Sequence, residues 1–346
     1  MNRRNGTIIA VILIVIASIS IAYFSVSRSV DVSASNTVRI GYFPNISHAQ
    51  ALVGIARGTF EQALGDDVDV QYKTFSAGPA AIEALFTNQI DMAYVGPSPT
   101  INGYVRSGTL KIISGAASGG VVFVVRSDAN IQSPSDFAGK KFASPQYGNT
   151  QDVSLKSYVI NHGYKLAQHG GNVHVLSAKN SDIMTLFIKK ELDGAWVPEP
   201  WGTLLVKNAD GKIFLDERDL WPDGEFATTL LIVSTKFLQE HPHLVKKVLK
   251  AHVETTLWIN EHPEEAEEVI NKQIEKLFGK PLPPDVLHES FLRMKFTYSP
   301  MKESVTRFAD EAHELRLLVE KPDLAGIYYT ELLNEVLREK ELSLAQ

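Results

Sequence analysis

Ser98, Asn149 and Thr150 carry hydroxyl or amide groups that donate hydrogen bonds without bearing charge, and each lies in a turn that opens a helix. The first of these turns belongs to Ile-Asp-Met-Ala-Tyr-Val-Gly-Pro-Ser-Pro-Thr (90–100). There an apolar run through Met92, Ala93, Tyr94 and Val95 ends at a Gly-Pro breaker, with Ser98 as N-cap and Pro99 at the first helical position. A helix start leaves backbone N–H groups unpaired. Those of Ser98, Thr100 and Ile101, together with the Ser98 hydroxyl, can converge on one acceptor-rich group at the positive end of the helix dipole. The chemistry predicted is anion capture, not catalysis.

Composition narrows the classes. The chain has 346 residues, 44% of them hydrophobic and 21% charged, an ordinary globular balance at a length that favours two domains or lobes. A net charge of -6 and the lack of a basic patch with interleaved aromatics set nucleic acid aside as a partner. Cysteine is absent, which removes disulfides, thiolate nucleophiles, Cys-ligated zinc, iron-sulfur clusters and the lipid-modified cysteine of a bacterial lipoprotein. Neither a His-Glu-x-x-His motif nor a Walker loop occurs, so no enzyme, metal or cofactor is expected.

The elements that must position the donors alternate regularly. Strands are predicted over 38–42, 68–72, 90–95, 110–114 and 121–126, and helices over 48–57 and 80–88, with 115–120 read as a Gly- and Ser-rich separator. A second set follows, with helices over 149–161 and 181–190 and strands over 173–176 and 194–197. The β-rich run 227–234 is placed back in the first sheet, so that two segments cross between lobes. This succession implies an α/β layer architecture with a largely parallel sheet. Its boundaries are a signal or anchor segment with linker over 1–37, the first part of lobe 1 over 38–126, lobe 2 over 127–226, and the rest of lobe 1 with C-terminal helices over 227–346. Val245, Leu249, Val253 and Leu257 recur every four residues, as in a helix packed on a sheet. No heptad repeat occurs, and a monomer is expected.

Arg3 and Arg4 precede an uncharged run over 7–24 rich in Ile, Val and Leu. Such a run exports the chain and keeps the basic end in the cytoplasm, making the remainder extracytoplasmic. Two readings stay open: an uncleaved membrane anchor followed by a linker, or a signal peptide removed after Val32-Ser33-Ala34.

Four strand ends carry a short turn followed by a helix, at 42–48, 76–79, 96–100 and 148–151. In open α/β sheets ligands gather at the carboxyl ends of strands. Three of these turns belong to one lobe and the fourth to the other, so an anion would be held from both sides.

Gly-Tyr-Phe-Pro-Asn-Ile-Ser-His-Ala (41–49), Ser-Ala-Gly-Pro (76–79), the stretch 90–99, Gly-Asn-Thr-Gln-Asp (148–152) and Val-Pro-Glu-Pro-Trp (197–201) together resemble the sulfonate, nitrate and taurine branch of periplasmic substrate-binding proteins of ABC importers. The similarity runs in order over 38–258. It implies a type II clamshell of two α/β lobes that binds a small organic oxyanion, an aliphatic sulfonate or taurine, and delivers it to a permease and ATPase on separate chains. Nitrate or bicarbonate is the alternative ligand, and an enzyme or sensory ectodomain the alternative use of the fold. The resemblance implies that Ser76, Gly78, Gly96 and Ser98 form one wall and Asn149 and Thr150 the other, with Tyr42 and Phe43 on the organic part of the ligand. Sulfonate-binding relatives often place an aromatic before the acidic residue of the last motif. This chain has Pro198 there, followed by Glu199, Pro200 and Trp201.

Three residues admit two readings. His48 either contacts the anion or is a neutral surface residue in a helix's first turn. Glu199 either meets a ligand cation or a cross-cleft donor, or is a carboxylate favoured at a helix N-terminus. Trp201, like Trp196, is divided between core and cleft wall. Asn45-Ile-Ser47 is a formal glycosylation site, but a glycan there would obstruct the cleft.

Overall fold

A computed structural model describes residues 37–345, and the expectations for the N-terminal export segment lie outside them. The chain enters along β1 (Thr37–Tyr42), passes a 3-10 turn (Ile46–His48) into α1 (Ala49–Arg57) and α2 (Thr59–Leu64), and returns along β2 (Asp69–Thr74). It continues through α3 (Gly78–Phe86), β3 (Met92–Val95), α4 (Pro97–Ser107) and β4 (Leu110–Gly119). A second group comprises β5 (Val121–Arg126), β6 (Lys141–Pro145), α5 (Thr150–Asn161), β7 (His174–Ala178), α6 (Asn180–Ile188), β8 (Gly194–Pro198), α7 (Trp201–Asn208) and β9 (Gly211–Asp216). The return brings β10 (Ala227–Ser234), then α8 (Thr235–Glu240), α9 (Pro242–Glu261), α10 (Pro263–Phe278), α11 (Pro284–Phe291), β11 (Met294–Phe296), α12 (Lys302–Glu314) and α13 (Glu331–Glu339).

Two sheets result, ordered β11-β4-β10-β3-β1-β2 and β7-β6-β8-β5-β9. The two-lobed α/β architecture expected above is therefore present, with β10 back in the first sheet. Neither sheet is largely parallel. β1 pairs with β3, and β6 with β7 and β8, in parallel, whereas β10 is antiparallel to both of its neighbours and β5 to both of its own. The strands next to the two crossings are the ones that reverse the direction.

Two local expectations need correction. The segment 115–120 is not a separator, because β4 continues to Gly119 and pairs with β10 and β11 over this length. Its small residues serve a close approach: a Cβ on Gly115 would lie 1.8 Å from the Ser299 carbonyl oxygen. The strand Val121–Arg126, expected in the first lobe, pairs with β8 and β9 in the second sheet. The crossing falls at Gly119 and Gly120, whose φ values of 76° and 69° few other residues adopt.

Alternating side chains send the cores to both faces of the first sheet. On one face Ile40, Tyr94 and Leu231 pack with Leu249 and Val253 of α9. On the other, Ala93, Val95 and Ile232 join a cluster that continues into the second lobe through Phe123, Phe142 and Trp196. Trp196 is fully buried and stacks on Phe123 at 5.3 Å, so it is core and not cleft wall. Full burial of one such aromatic contributes about 1.5–3 kcal/mol or more.

Candidate functional site

The carboxyl ends of β1, β3, β6 and β8 and the beginning of antiparallel β10 meet at one place between the sheets, where they border a partly open cavity of about 30 Å³. Phe43, Asn45, Ser47, His48, Ser76, Ala77 and Gly96 line it from the first lobe; Pro145, Asn149, Thr150, Gln151, Asn180 and Pro198 from the second; Thr228 and Thr229 from the returning strand. The lobes touch here. Ser98 N–H points at Thr150 Oγ1 at 3.4 Å, Gln146 Nε2 lies 3.5 Å from Ser76 Oγ, and a Cβ on Gly96 would meet Thr150 Oγ1 at 2.6 Å.

His48 is 2% exposed, and burial pushes its pKa down to about 3. It is a neutral donor in the wall, not a surface residue. Phe43 N–H donates to its Nδ1 at 3.3 Å, which places the imidazole proton on Nε2. The Phe43 ring lies 4.4 Å from the imidazole and closes the same wall. Below them a buried relay repeats this tautomer logic. The Gly115 carbonyl accepts from His252 Nε2 at 2.8 Å, so His252 Nδ1 accepts from Tyr94 Oη at 2.9 Å.

The start of α4 differs from expectation. The helix begins at Pro97 with Gly96 as N-cap, so Ser98 is its second residue, and the Ser98 hydroxyl is fully buried outside the lining. Thr100 N–H is spent on the Gly96 carbonyl at 3.3 Å, whereas the Ser98 hydroxyl has no hydrogen-bond partner among the described residues. Pro97 and Pro99 have no N–H to give, which leaves Ser98 N–H as the donor this turn presents to the other lobe.

The opposing turn is the richer one. Asn149 caps α5, and the first N–H groups of the helix, at Thr150 and Gln151, stand beyond its internal ladder beside the cavity. Asp152, fully buried, holds this turn in shape. Its carboxylate accepts from Gly148 N–H at 2.9 Å, Ser144 Oγ at 2.9 Å, Ser177 Oγ at 3.0 Å and Lys156 Nζ at 2.6 Å. Lys156, 3% exposed, is thus neutralised under the turn and lies 4.4 Å above the Tyr147 ring.

Besides Ser98, four proposed site residues lie off the lining. Tyr42 belongs to the core on the α9 side, its phenol facing Gln273, and burial raises its pKa. Gly78 stands behind Ser76, where a Cβ would meet Pro99 at 2.2 Å and Asn149 Oδ1 at 3.2 Å. Trp201 opens α7 and packs against Val122, Val124 and their neighbours. Glu199 is fully buried and accepts from Thr203 N–H at 3.0 Å in the first turn of α7, from Ser290 Oγ at 3.2 Å and from Arg293 Nη1 at 3.1 Å. Burial raises its pKa against the pull of these donors. Of its two readings, the helix N-terminus is realised at Thr203, and donors from the 227–346 segment, Ser290 and Arg293, are present as well.

Several lining residues escape sequence reasoning. Asn180 opens α6 directly after β7, a further strand-turn-helix junction that lacks the glycine marking three of the other four. Thr228 and Thr229 sit inside a β-rich run, where nothing local marks them as wall.

Comparison with known proteins follows the geometry. The model of the NMT1-like family matches residues 32–273. A candidate aliphatic sulfonates-binding protein of Bacillus subtilis is 24% identical over 69% of this chain and 70% of its own. The chain spans about two thirds of the length of the curated relatives it matches, 66% to 70%. Among solved structures, the alkanesulfonate-binding protein SsuA of Xanthomonas axonopodis pv. citri bound to MOPS has a TM-score of 0.72 at 17% identity, covering 85% of this chain and 98% of that one. The periplasmic nitrate-binding protein NrtA of Synechocystis PCC 6803 has a TM-score of 0.76 at 15% identity, covering 88% and 89%. At these identities the structural likeness concerns the fold.

Proposed function

Because this chain belongs to the NMT1-like family, we propose that it is the solute-binding receptor of an ABC importer, holding a small organic oxyanion between its lobes. The ligand assigned is an aliphatic sulfonate, taurine included. One observation carries this reading: every polar side chain on the lining is uncharged, and donors reach it from both lobes. In a site closed to water, each hydrogen bond from such a donor to a charged acceptor contributes about 1.5–3 kcal/mol. Phe43 offers an apolar face to an organic tail. The basic-then-apolar N-terminus supports capture outside the cytoplasm, and the permease and ATPase belong to separate chains.

A nitrate or bicarbonate receptor is the second reading. The cavity volume favours it, since 30 Å³ holds about two waters and a planar four-atom anion parts the lobes less than a sulfonate does. Calorimetric titration of the detergent-solubilised full-length chain with taurine, short alkanesulfonates, nitrate, bicarbonate and phosphonates decides between the two. Sulfonates should bind with the highest affinity. Nitrate or bicarbonate binding alongside silence toward every sulfonate would replace the first reading by the second.

A further inference from the structure

Two sets of contacts join the lobes, and they differ in kind. At the cleft, Ser98 N–H meets Thr150 Oγ1 at 3.4 Å and Gln146 Nε2 meets Ser76 Oγ at 3.5 Å, both long and between uncharged groups. At the first crossing the contacts are shorter, and one is charged. Glu199 follows Pro198 at the end of β8, in the second sheet, and Arg293 precedes β11, in the first. Gly120 N–H donates to the Arg293 carbonyl at 2.8 Å, the Gly120 carbonyl accepts from Glu199 N–H at 2.8 Å, and Arg293 Nη1 donates to Glu199 Oε1 at 3.1 Å. These three bonds close a triangle at the residue where the chain changes lobes. Both glycines are pressed against its lobe 1 side: a Cβ on Gly119 would lie 2.5 Å from the Arg293 carbonyl oxygen, and one on Gly120 2.6 Å from Met294 Cγ. Arg293 itself is held to lobe 1, since Leu287 and Phe291 of α11 sit in the core on the α9 side and Met294 pairs with Gly119.

The two sets do not cost the same to separate. The neutral contacts at the cleft exchange for water with little loss, whereas parting Glu199 from Arg293 leaves a fully buried carboxylate without its charge partner. A motion that opens the cleft therefore spares this pair. We propose that Glu199 and Arg293 form a noncovalent hinge point: the lobes turn about the Gly120–Arg293–Glu199 triangle, which persists in the open and the closed form while the cleft contacts are made and broken. The proposal rests on the closing-receptor reading and adds where its axis runs. The chain crosses between the lobes at Gly119–Gly120 and again over 217–226. Fastening the first crossing against sliding leaves fewer open arrangements to compete with the ligand-bound one, so residues off the lining contribute to affinity.

The chain has no cysteine, so paired cysteines carry spin labels without background. One pair, Val105→Cys with Tyr147→Cys, borders a single groove from the two lobes; the other, Lys207→Cys with Glu289→Cys, replaces a partly exposed ion pair between α7 and α11. Dipolar broadening is read on the solubilised full-length chain before and after taurine, or nitrate if nitrate alone binds, with calorimetry reporting that each labelled chain binds. The labels at 105 and 147 should draw together on binding while those at 207 and 289 keep their separation. Glu199→Gln with Arg293→Met, which removes both charges at similar volume, should broaden the distances between 207 and 289 and weaken affinity several-fold. Arg293→Lys alone, which keeps the charge, should preserve the narrow distribution. A ligand-dependent change at 207 and 289 as large as that at 105 and 147 overturns the hinge point and leaves the receptor reading standing. Ligand binding with no change at 105 and 147 does the same, because nothing then turns. A chain that binds neither taurine nor nitrate overturns both.

Discussion

His48 carries its proton on one nitrogen only, and its neutrality has consequences that titration can read. With a pKa near 3, it does not change charge between pH 5.5 and 8, so ligand affinity should be flat over that range. Affinity that climbs as pH falls through 7 would instead mean that an imidazolium grips the anion. Folding stability should respond to pH through several buried groups at once. His48 and His252, lowered by burial to about 3 and about 4, bind fewer protons folded than unfolded below the ordinary pKa of 6.5. Each therefore contributes stability above pH 6.5 that is lost on acidification, at up to ~1.4 kcal/mol per pH unit. Glu217 acts with the opposite sign. It is raised to about 7, chiefly by burial, against hydrogen bonds from Trp196 Nε1 at 2.6 Å and Ser154 Oγ at 2.8 Å. It is protonated when folded and ionised when unfolded between pH 4.5 and 7, so its contribution is full below 4.5 and fades as pH rises through 7. One of the two histidine slopes is thereby offset, and Glu217→Gln should make denaturant stability fall more steeply from pH 6.5 to 5. An unchanged slope would show that Glu217 does not hold its proton in the folded state.

Among the elements, the two opposed helix starts should respond differently to loss of a hydroxyl. The Ser98 side chain is not on the lining, so Ser98→Ala should change affinity less than about twofold, while Thr150→Val, which removes a lining hydroxyl, should weaken binding about tenfold or more. Parallel titrations of the two variants check this, and equal losses would contradict the asymmetry between the helices. The α5 start depends on Asp152. Asp152→Asn leaves Lys156 charged and unpaired in the interior, and should cost about 3–5 kcal/mol in chemical denaturation while loosening the Gly148–Asn149 turn. Lys156→Met added to that change should recover much of the stability, because the unpaired charge is then gone. If the single variant were as stable as the parent, the buried pair would not be what orders the turn.

For the whole molecule, closure is the quantity to measure. The cross-lobe contacts at Ser98, Thr150, Ser76 and Gln146 exist only when the lobes meet. A ligand that bridges both walls has differential affinity for the closed form and shifts the population toward it. Small-angle scattering should therefore show a more compact particle with ligand than without. Gly96→Ala separates closure from folding. Gly96 has φ -68° and ψ 161°, which alanine adopts freely, yet the added Cβ would sit 2.6 Å from Thr150 Oγ1 across the cleft. Unfolding of the ligand-free protein should be nearly unchanged, while affinity drops and the compaction on ligand addition shrinks. Full compaction with undiminished affinity in this variant would mean that the two walls do not close on each other at Gly96.

What the sequence determined by itself is what short-range physics writes locally. Alternating apolar runs and Gly-Pro breakers sufficed for the strand-turn-helix succession, the two lobes and the return of Ala227–Ser234 to the first sheet, and they marked the turns that bring Phe43, His48, Ser76, Gly96, Asn149 and Thr150 to one cavity. Tertiary structure alone decided the rest, because it depends on groups distant in the chain. The small residues of 115–120 read as a separator until the Ser299 carbonyl lies against Gly115. Glu199 reads as a possible ligand contact until Arg293 and Ser290, more than ninety residues away, satisfy it. Ser98 keeps only its N–H toward the other lobe, because the helix starts at Pro97 and not at Pro99 and the Ser98 hydroxyl is buried off the lining. Asn180 and Thr228 reach the cavity only through the meeting of two sheets, and the proton of Thr228 is committed by a carbonyl 109 residues away. A local pattern specifies which groups can donate or accept; which of them are left free to do so is settled by the partners that folding brings.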